Sequence, residues 1–130
     1  MGDVVAGIGG VFMRSHQPDR LAAWYREVLG IDVEAQGDAF MAVFPVREPD
    51  GERRLTNSVW SIFPAAADEA TTAGVTVNYR IVDMDALLAR LRGLEITVTR
   101  TEDQSYGRFA WLTDPDGNEV ELWQDVAMEE

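Results

Sequence analysis

A chain of 130 residues has room for one domain with one proper core. It carries a net charge of −12, with 11 arginines, no lysine, no cysteine and one histidine, which leaves out disulfides, thiolate nucleophiles, lysine Schiff bases and any zinc site built on two imidazoles of one chain. A duplex-binding surface needs clustered cations to displace counterions, and the nearest cluster, Arg53-Arg54, sits beside Asp50 and Glu52, so nucleic acid is not an expected partner.

No apolar run approaches the roughly 18 residues of a membrane span. The opening Met1-Gly2-Asp3-Val4-Val5 has no basic region ahead of an apolar stretch, and Ala6 breaks the myristoylation pattern. Neither membrane nor secretion is expected, and the cytoplasm is the default compartment. The apolar segment Gly7 to Ser15 predicts a buried strand. Pro18 then stands near a helix start, where its missing N–H costs nothing. Leu21, Trp24, Tyr25, Val28 and Leu29 form one helical stripe, with Gly30 placed for a left-handed cap. Strands are expected at 31–36, 39–45 and 58–63, with a polar loop at 46–57. The stretch 65–74, rich in Ala, Asp, Glu and Thr, reads as a connector between a first half-module at about 5–64 and a second at about 75–125.

The second half repeats the first. A strand at 75–82 leads to Asp83, a good N-cap, and to the stripe Met84, Leu87, Leu88, Leu91. Gly93 repeats Gly30 as the capping glycine, 63 residues further on. Strands follow at 95–101, 109–113 and 119–124, the last two joined by the turn formers Asp114-Pro115-Asp116-Gly117-Asn118. The order is strand, helix and three strands, twice. One half cannot bury both its helix stripe and its sheet alone, whereas two halves can share a core and curl around a cleft. The predicted fold class is α+β, with two βαβββ modules in one chain forming a curved mixed sheet around a cleft.

Three stretches resemble the glyoxalase/bleomycin-resistance/dioxygenase (vicinal oxygen chelate) superfamily. They are Ala22-Ala23-Trp24-Tyr25-Arg26-Glu27-Val28-Leu29-Gly30, then Asn78-Tyr79-Arg80-Ile81-Val82-Asp83-Met84-Asp85, and third Tyr106-Gly107-Arg108-Phe109-Ala110-Trp111 running on through the Asp114 turn to Glu121-Leu122-Trp123. The resemblance implies a cleft with metal ligands on the first and fourth strands of each half. Counted from Tyr25, the first such position is Gly10, which has no side chain. Its counterpart, counted from Asp83, is Thr76, a poor ligand. The strand 58–63 offers no carboxylate, His or Gln, and only Glu121 matches. A catalytic site with three protein ligands needs more, so no metal ligand set and no cofactor are expected, and a divalent ion is disfavoured.

Alternation along the last strand puts Glu119, Glu121 and Trp123 on one face and Val120 and Leu122 on the other. From periodicity alone this is a solvated strand face. The resemblance makes it the cleft wall, and Glu121 the candidate acid or base. Arg14 and Arg80 sit at matching places in the two halves. Each suits a carboxylate or phosphate of a ligand, or equally a structural ion pair. Asn78 shares the face of Arg80 and suits a ligand carbonyl. Trp60, Trp111 and Trp123 are candidates for stacking on a flat or cationic ligand, with core filling the alternative for at least one. Trp24 belongs to the helix stripe and is expected in the core. Tyr106 and Arg108 are expected at the rim of the cleft or in a hairpin bulge. His16, alone in a loop, is expected to be exposed. Gly7, Gly9 and Gly10 precede a strand, so they make no dinucleotide fingerprint.

These features leave two functions open. One is a metal-free enzyme on a small carbonyl or oxygenated molecule, related to glyoxalase-like lyases and isomerases or to dioxygenases, with Glu121 moving a proton. The other is a bleomycin-resistance type of protein that binds a drug-like or cationic compound without turnover. The resemblance also implies a homodimer.

Overall fold

The computed structural model describes residues 10–47, 55–70 and 76–125. The expected strand start at 7–9, the module limits at 5 and 75, the Arg53-Arg54 pair and the connector's end at 71–74 lie outside the described residues. In chain order the elements are β1 (Gly10–Ser15), α1 (Pro18–Val28), β2 (Glu34–Gln36), β3 (Ala39–Arg47), β4 (Leu55–Pro64), β5 (Val77–Arg80), α2 (Met84–Gly93), β6 (Arg100–Gln104), β7 (Gly107–Thr113) and β8 (Glu119–Asp125). The chain is the expected α+β fold of two βαβββ modules. There are two four-stranded mixed sheets, ordered β1-β4-β3-β2 and β5-β8-β7-β6. In each, the first strand runs parallel to the last and the other pairs are antiparallel.

Contacts divide the described residues into two units that do not follow the repeat. The first holds 10–23 with 31–70, and the second holds 24–30 with 76–125. The division cuts α1 in two.

In the first unit, alternation sorts the sheet into two faces. Val11, Met13, Ser15, Trp60, Ile62 and Ala42 have one parity, and Gly10, Phe12, Arg14, Val59, Ser61 and Phe63 the other. Of the first set, Met13, Ser15, Trp60, Ile62 and Ala42 are buried, as are Leu21 and Ala22 of α1. Gly10 answers to packing rather than to backbone freedom, because a Cβ there would run into the carbonyl oxygen of Val59. After β4, Ala66 and Glu69 close a turn, with Glu69 N–H donating to the Ala66 carbonyl and Ala66 N–H to Glu69 Oε1.

In the second unit Ala110, Leu112, Val120 and Leu122 form the buried face of the sheet, and Met84 and Leu91 of α2 are buried with them. Asp83 caps α2 as expected: it is extended, and its Oδ1 accepts from Ala86 N–H at 3.1 Å. The end of α2 departs from expectation. Gly93 lies inside the helix, and the left-handed residue is Glu95, at φ 60°. The i, i+3 pattern fixes where the apolar stripe stops, not how many further turns the backbone bonds carry. At Gly30 the expected left-handed cap is present, at φ 72°.

The buried stripe of α1 is Leu21, Ala22, Tyr25 and Val28. Trp24 is only half-buried, a correction to its expected place in the core. Its ring stands edge-on to Tyr25, with centroids 4.9 Å apart. One residue further round the helix the side chain falls on the stripe's margin, where a large ring is covered on one side. Strand limits also moved. β2 starts at Glu34 instead of residue 31, and β6 covers Arg100–Gln104 instead of 95–101.

Candidate functional site

The face of the second sheet opposite Ala110, Leu112, Val120 and Leu122 carries two parallel rows of side chains, of which Trp111 is itself buried. Register across β6, β7, β8 and β5 gives Arg100, Trp111, Glu121 and Asn78 as one row, and Glu102, Phe109, Trp123 and Arg80 as the next. A block of three aromatic rings and one carboxylate therefore occupies the two central strands, with charged or amide groups on the outer two.

The rings are nearly parallel. Phe109 lies 5.9 Å from Trp111 at 14° and 6.1 Å from Trp123 at 8°, centroid to centroid. Tyr106, exposed at the β6–β7 turn, extends the group with its ring edge-on to Phe109 at 5.7 Å. Arg100 lies over Trp111, with Cζ 3.9 Å from the ring centroid, and pairs with Glu102 at 3.6 Å. Arg80 stands over Trp123 at 5.9 Å. Quadrupole attraction of a cation to a ring face operates at such distances. Gly107 makes room for this floor, since a Cβ there would collide with the indole nitrogen of Trp123. That nitrogen is buried without a hydrogen-bond partner.

Glu121 is half-buried in this block, between Trp111 and Asn78, and among the described residues its carboxylate takes part in no hydrogen bond or ion pair. Its neighbour Glu119 is committed, because Thr76 Oγ1 donates to it at 2.8 Å.

The structure thus gathers Glu121, Asn78, Arg80, Trp111 and Trp123 on one face, with Tyr106 at its edge. It does not gather three others. Trp60, 2 % exposed, lies on the opposite face of its strand from Arg14 and fills the first unit's core. For Trp60 the core-filling alternative holds, by parity: the β4 residue that corresponds to Glu121 is Ser61, which pairs with Phe12 as Glu121 pairs with Asn78. Ser61 is wholly buried, and its Oγ has no hydrogen-bond partner. Arg108 also has the wrong parity for a rim. It belongs to β7, pairs with Gln124, and reaches Asp85 of α2 at 2.9 Å and Asp103 at 3.4 Å. Its bond to Asp85 raises its pKa further. Arg14 sits in the first unit at the register position matching Arg80. His16 is exposed, with Nδ1 3.3 Å from the Ala65 carbonyl.

Phe109 and Arg100 were not singled out from the sequence. Phe109 was findable, since it stands two residues from Trp111 on one strand. Arg100 required the β6 register.

The donor set does not fit the metal site that the resemblance implies. Gly10 has no side chain and no room for one, Thr76 is engaged with Glu119, and Ser61 offers a neutral hydroxyl. Among the described residues, no three of His, Cys, Asp and Glu come together as a metal-binding group.

Below this face, Asp114 organises the β7–β8 turn. Its Oδ1 accepts from the N–H groups of Asp116 and Asn118, both at 2.9 Å, and its Oδ2 from Asn118 Nδ2 at 2.8 Å and Tyr25 Oη at 2.6 Å. Burial, then Tyr79 and Asp114, push the Tyr25 phenol far above its ordinary range, so it remains a donor.

Paired βαβββ modules with a chemically distinct sheet face define a class of proteins rather than one activity. The model of the Glyoxalase-like domain matches residues 10–123, and the chain belongs to that family, within the glyoxalase/bleomycin-resistance/dioxygenase superfamily. Compared with curated proteins, the sequence matches none. Among solved structures it is similar to a lactoylglutathione lyase from Agrobacterium tumefaciens, at 17% identity and TM-score 0.68 over 98% of this chain and 100% of that one. A glyoxalase/dioxygenase from Nostoc punctiforme is similar at 14% identity and TM-score 0.69, over 95% and 93%. A glyoxylase/bleomycin resistance protein/dioxygenase domain from Frankia sp. EAN1pec is similar at 18% identity and TM-score 0.62, over 95% and 94%. At these identities the likeness is one of fold. No helix among the described residues is long and apolar enough to cross a membrane.

Proposed function

We propose that the chain acts on a small organic molecule held against the aromatic face of the second sheet, with Glu121 as the acid or base and without the superfamily's three-ligand metal. The observation that carries this is the uncommitted carboxylate of Glu121 set among Trp111, Phe109 and Trp123. A carboxylate held by no protein donor is free to exchange a proton with a ligand. Asn78 and Arg80 lie on the adjacent strand, placed to hold an oxygen that gains charge as the proton moves.

A second reading is favoured by the rings themselves. Three nearly parallel aromatic side chains suit the stacking of a flat compound, as expected of a binding protein of the bleomycin-resistance type. Both readings take the chain as a cytoplasmic homodimer.

The test is a panel of small carbonyl compounds and planar dyes, screened with protein stripped of metal. Wild-type protein should consume one panel member, and Glu121→Gln should lose at least about a hundredfold in rate at saturating ligand. An unaltered rate in Glu121→Gln removes the proton-transfer role. Binding without consumption by either protein selects the second reading. Elemental analysis after incubation with Mn, Fe, Ni and Zn should find no stoichiometric ion, and one bound per chain would overturn the metal-free part of the proposal.

A further inference from the structure

The same face carries two charges of opposite sign that the protein leaves uncommitted. Among the described residues neither Glu121 nor Arg80 enters a hydrogen bond or an ion pair, and Arg80 lies over the Trp123 ring. The contrast with nearby charges is sharp. Glu119 is held by Thr76, Arg100 by Glu102 and Trp111, and Arg108 by Asp85 and Asp103.

We infer that the ligand of this site is a zwitterion, an aminocarboxylate with a flat apolar side chain, its ammonium at Glu121 and its carboxylate at Arg80. This rests on the small-molecule site proposed above and names the class of molecule that enters it.

Three observations support the assignment. First, the spacing fits. Glu121 pairs with Asn78, and Arg80 stands two residues along the same strand, so the two charges are diagonal neighbours on adjacent strands. Such positions lie about 7–8 Å apart before the side chains reach out. Side chains rooted at these positions can set their charged ends as far apart as the two ends of an α-amino acid need, with a hydrogen bond of about 2.8 Å at each. Side chains of this length could reach one another across that distance, yet among the described residues they do not pair.

Second, the chemistry at each end is selective. A guanidinium presents a planar fork that matches a carboxylate. An ammonium has three donors to satisfy, and Glu121 with the amide oxygen of Asn78 beside it supplies acceptors.

Third, an aromatic ring adjoins both charges, with a second beside it on the next strand. Phe109 and Trp123 lie within 8° of parallel, and Trp123 is directly adjacent to both charged positions. A flat side chain attached to the zwitterion has a ring to lie against. A wholly cationic ligand would leave Arg80 repelling it, and a wholly anionic one would meet Glu121.

The experiment uses the full chain and three probes of one skeleton: L-phenylalanine, 2-phenylethylamine and 3-phenylpropanoate. Binding is read from the indole N–H resonance of Trp123, assigned with Trp123→Phe. L-phenylalanine should bind about tenfold or more tighter than either singly charged probe, because each of these loses one charge-assisted contact. Arg80→Gln should bring L-phenylalanine down to the affinity of the amine, and Glu121→Gln to that of the acid. Glu121 has no polar partner among the described residues to lose, Arg80 loses only its place over the Trp123 ring, and the wild-type probe series stands without the variants. Equal affinity of the zwitterion and either singly charged probe overturns the inference while leaving a small-molecule site in place. Silence toward all three also overturns it, and the site itself falls only if the carbonyl and dye panel is silent as well.

Discussion

Asp114 is 4 % exposed and accepts four hydrogen bonds, three from its own turn and one from a tyrosine 89 residues earlier in the chain. The short bond from Tyr25 Oη is charge-assisted and buried, so its loss matters more than that of a surface contact. Tyr25→Phe should cost roughly 1.5–3 kcal/mol in urea unfolding. The pH dependence follows from the direction of the shift. The folded phenol is held above its ordinary value of 10.0, so the unfolded chain releases this proton first. The stability it contributes is complete below pH 10.0 and declines as pH rises beyond it. The chain has no lysine or cysteine to titrate in that range, so the decline belongs to tyrosine. Tyr25→Phe should flatten it, and an equally steep alkaline decline in the variant would contradict the assignment.

At the scale of elements, α2 ends awkwardly. Glu95 takes the left-handed conformation that suits glycine, while Gly93 is the last residue of the helix, with open space around its absent Cβ. Glu95→Gly and Gly93→Ala should each raise stability by about 0.5–1 kcal/mol in thermal unfolding. A loss at either position would mean that the helix end is held by something other than backbone preference. The mismatch shows what was legible in the sequence. Element order, the Asp83 cap, the Gly30 cap and the module repeat follow from local chemistry, and they are present. Faces are harder. A slip of one residue moves a side chain to the other side of a sheet, and local pattern does not reveal pairing. For that reason Trp60 and Arg108, expected on the site, lie off it, and the place of Arg100 shows only in the β6 register. Glu121, Asn78 and Arg80 could be placed together because one strand pair and one period of two relate them. Strand limits slipped at β2 and β6, which are short or exposed throughout and carry no apolar period to read.

For the whole molecule, the excess of acid is the governing quantity. A net charge of −12 over 130 residues opposes compaction through self-repulsion. Raising sodium chloride from about 0.01 to about 0.3 M shortens the screening length severalfold and should raise the melting temperature by several degrees. A melting temperature that falls would show that attractive pairs, such as Arg108 with Asp85, outweigh the general repulsion. The division of α1 has a different kind of consequence, for how the chain can be taken apart. The chain is written as the same unit twice, yet the tyrosine that secures Asp114 comes from the first writing. So do the carbonyls of Glu27 and Val28, which Arg90 holds at 2.7 and 3.2 Å. A cut at the connector would therefore not release the second unit whole, because its turn depends on a side chain encoded ahead of it.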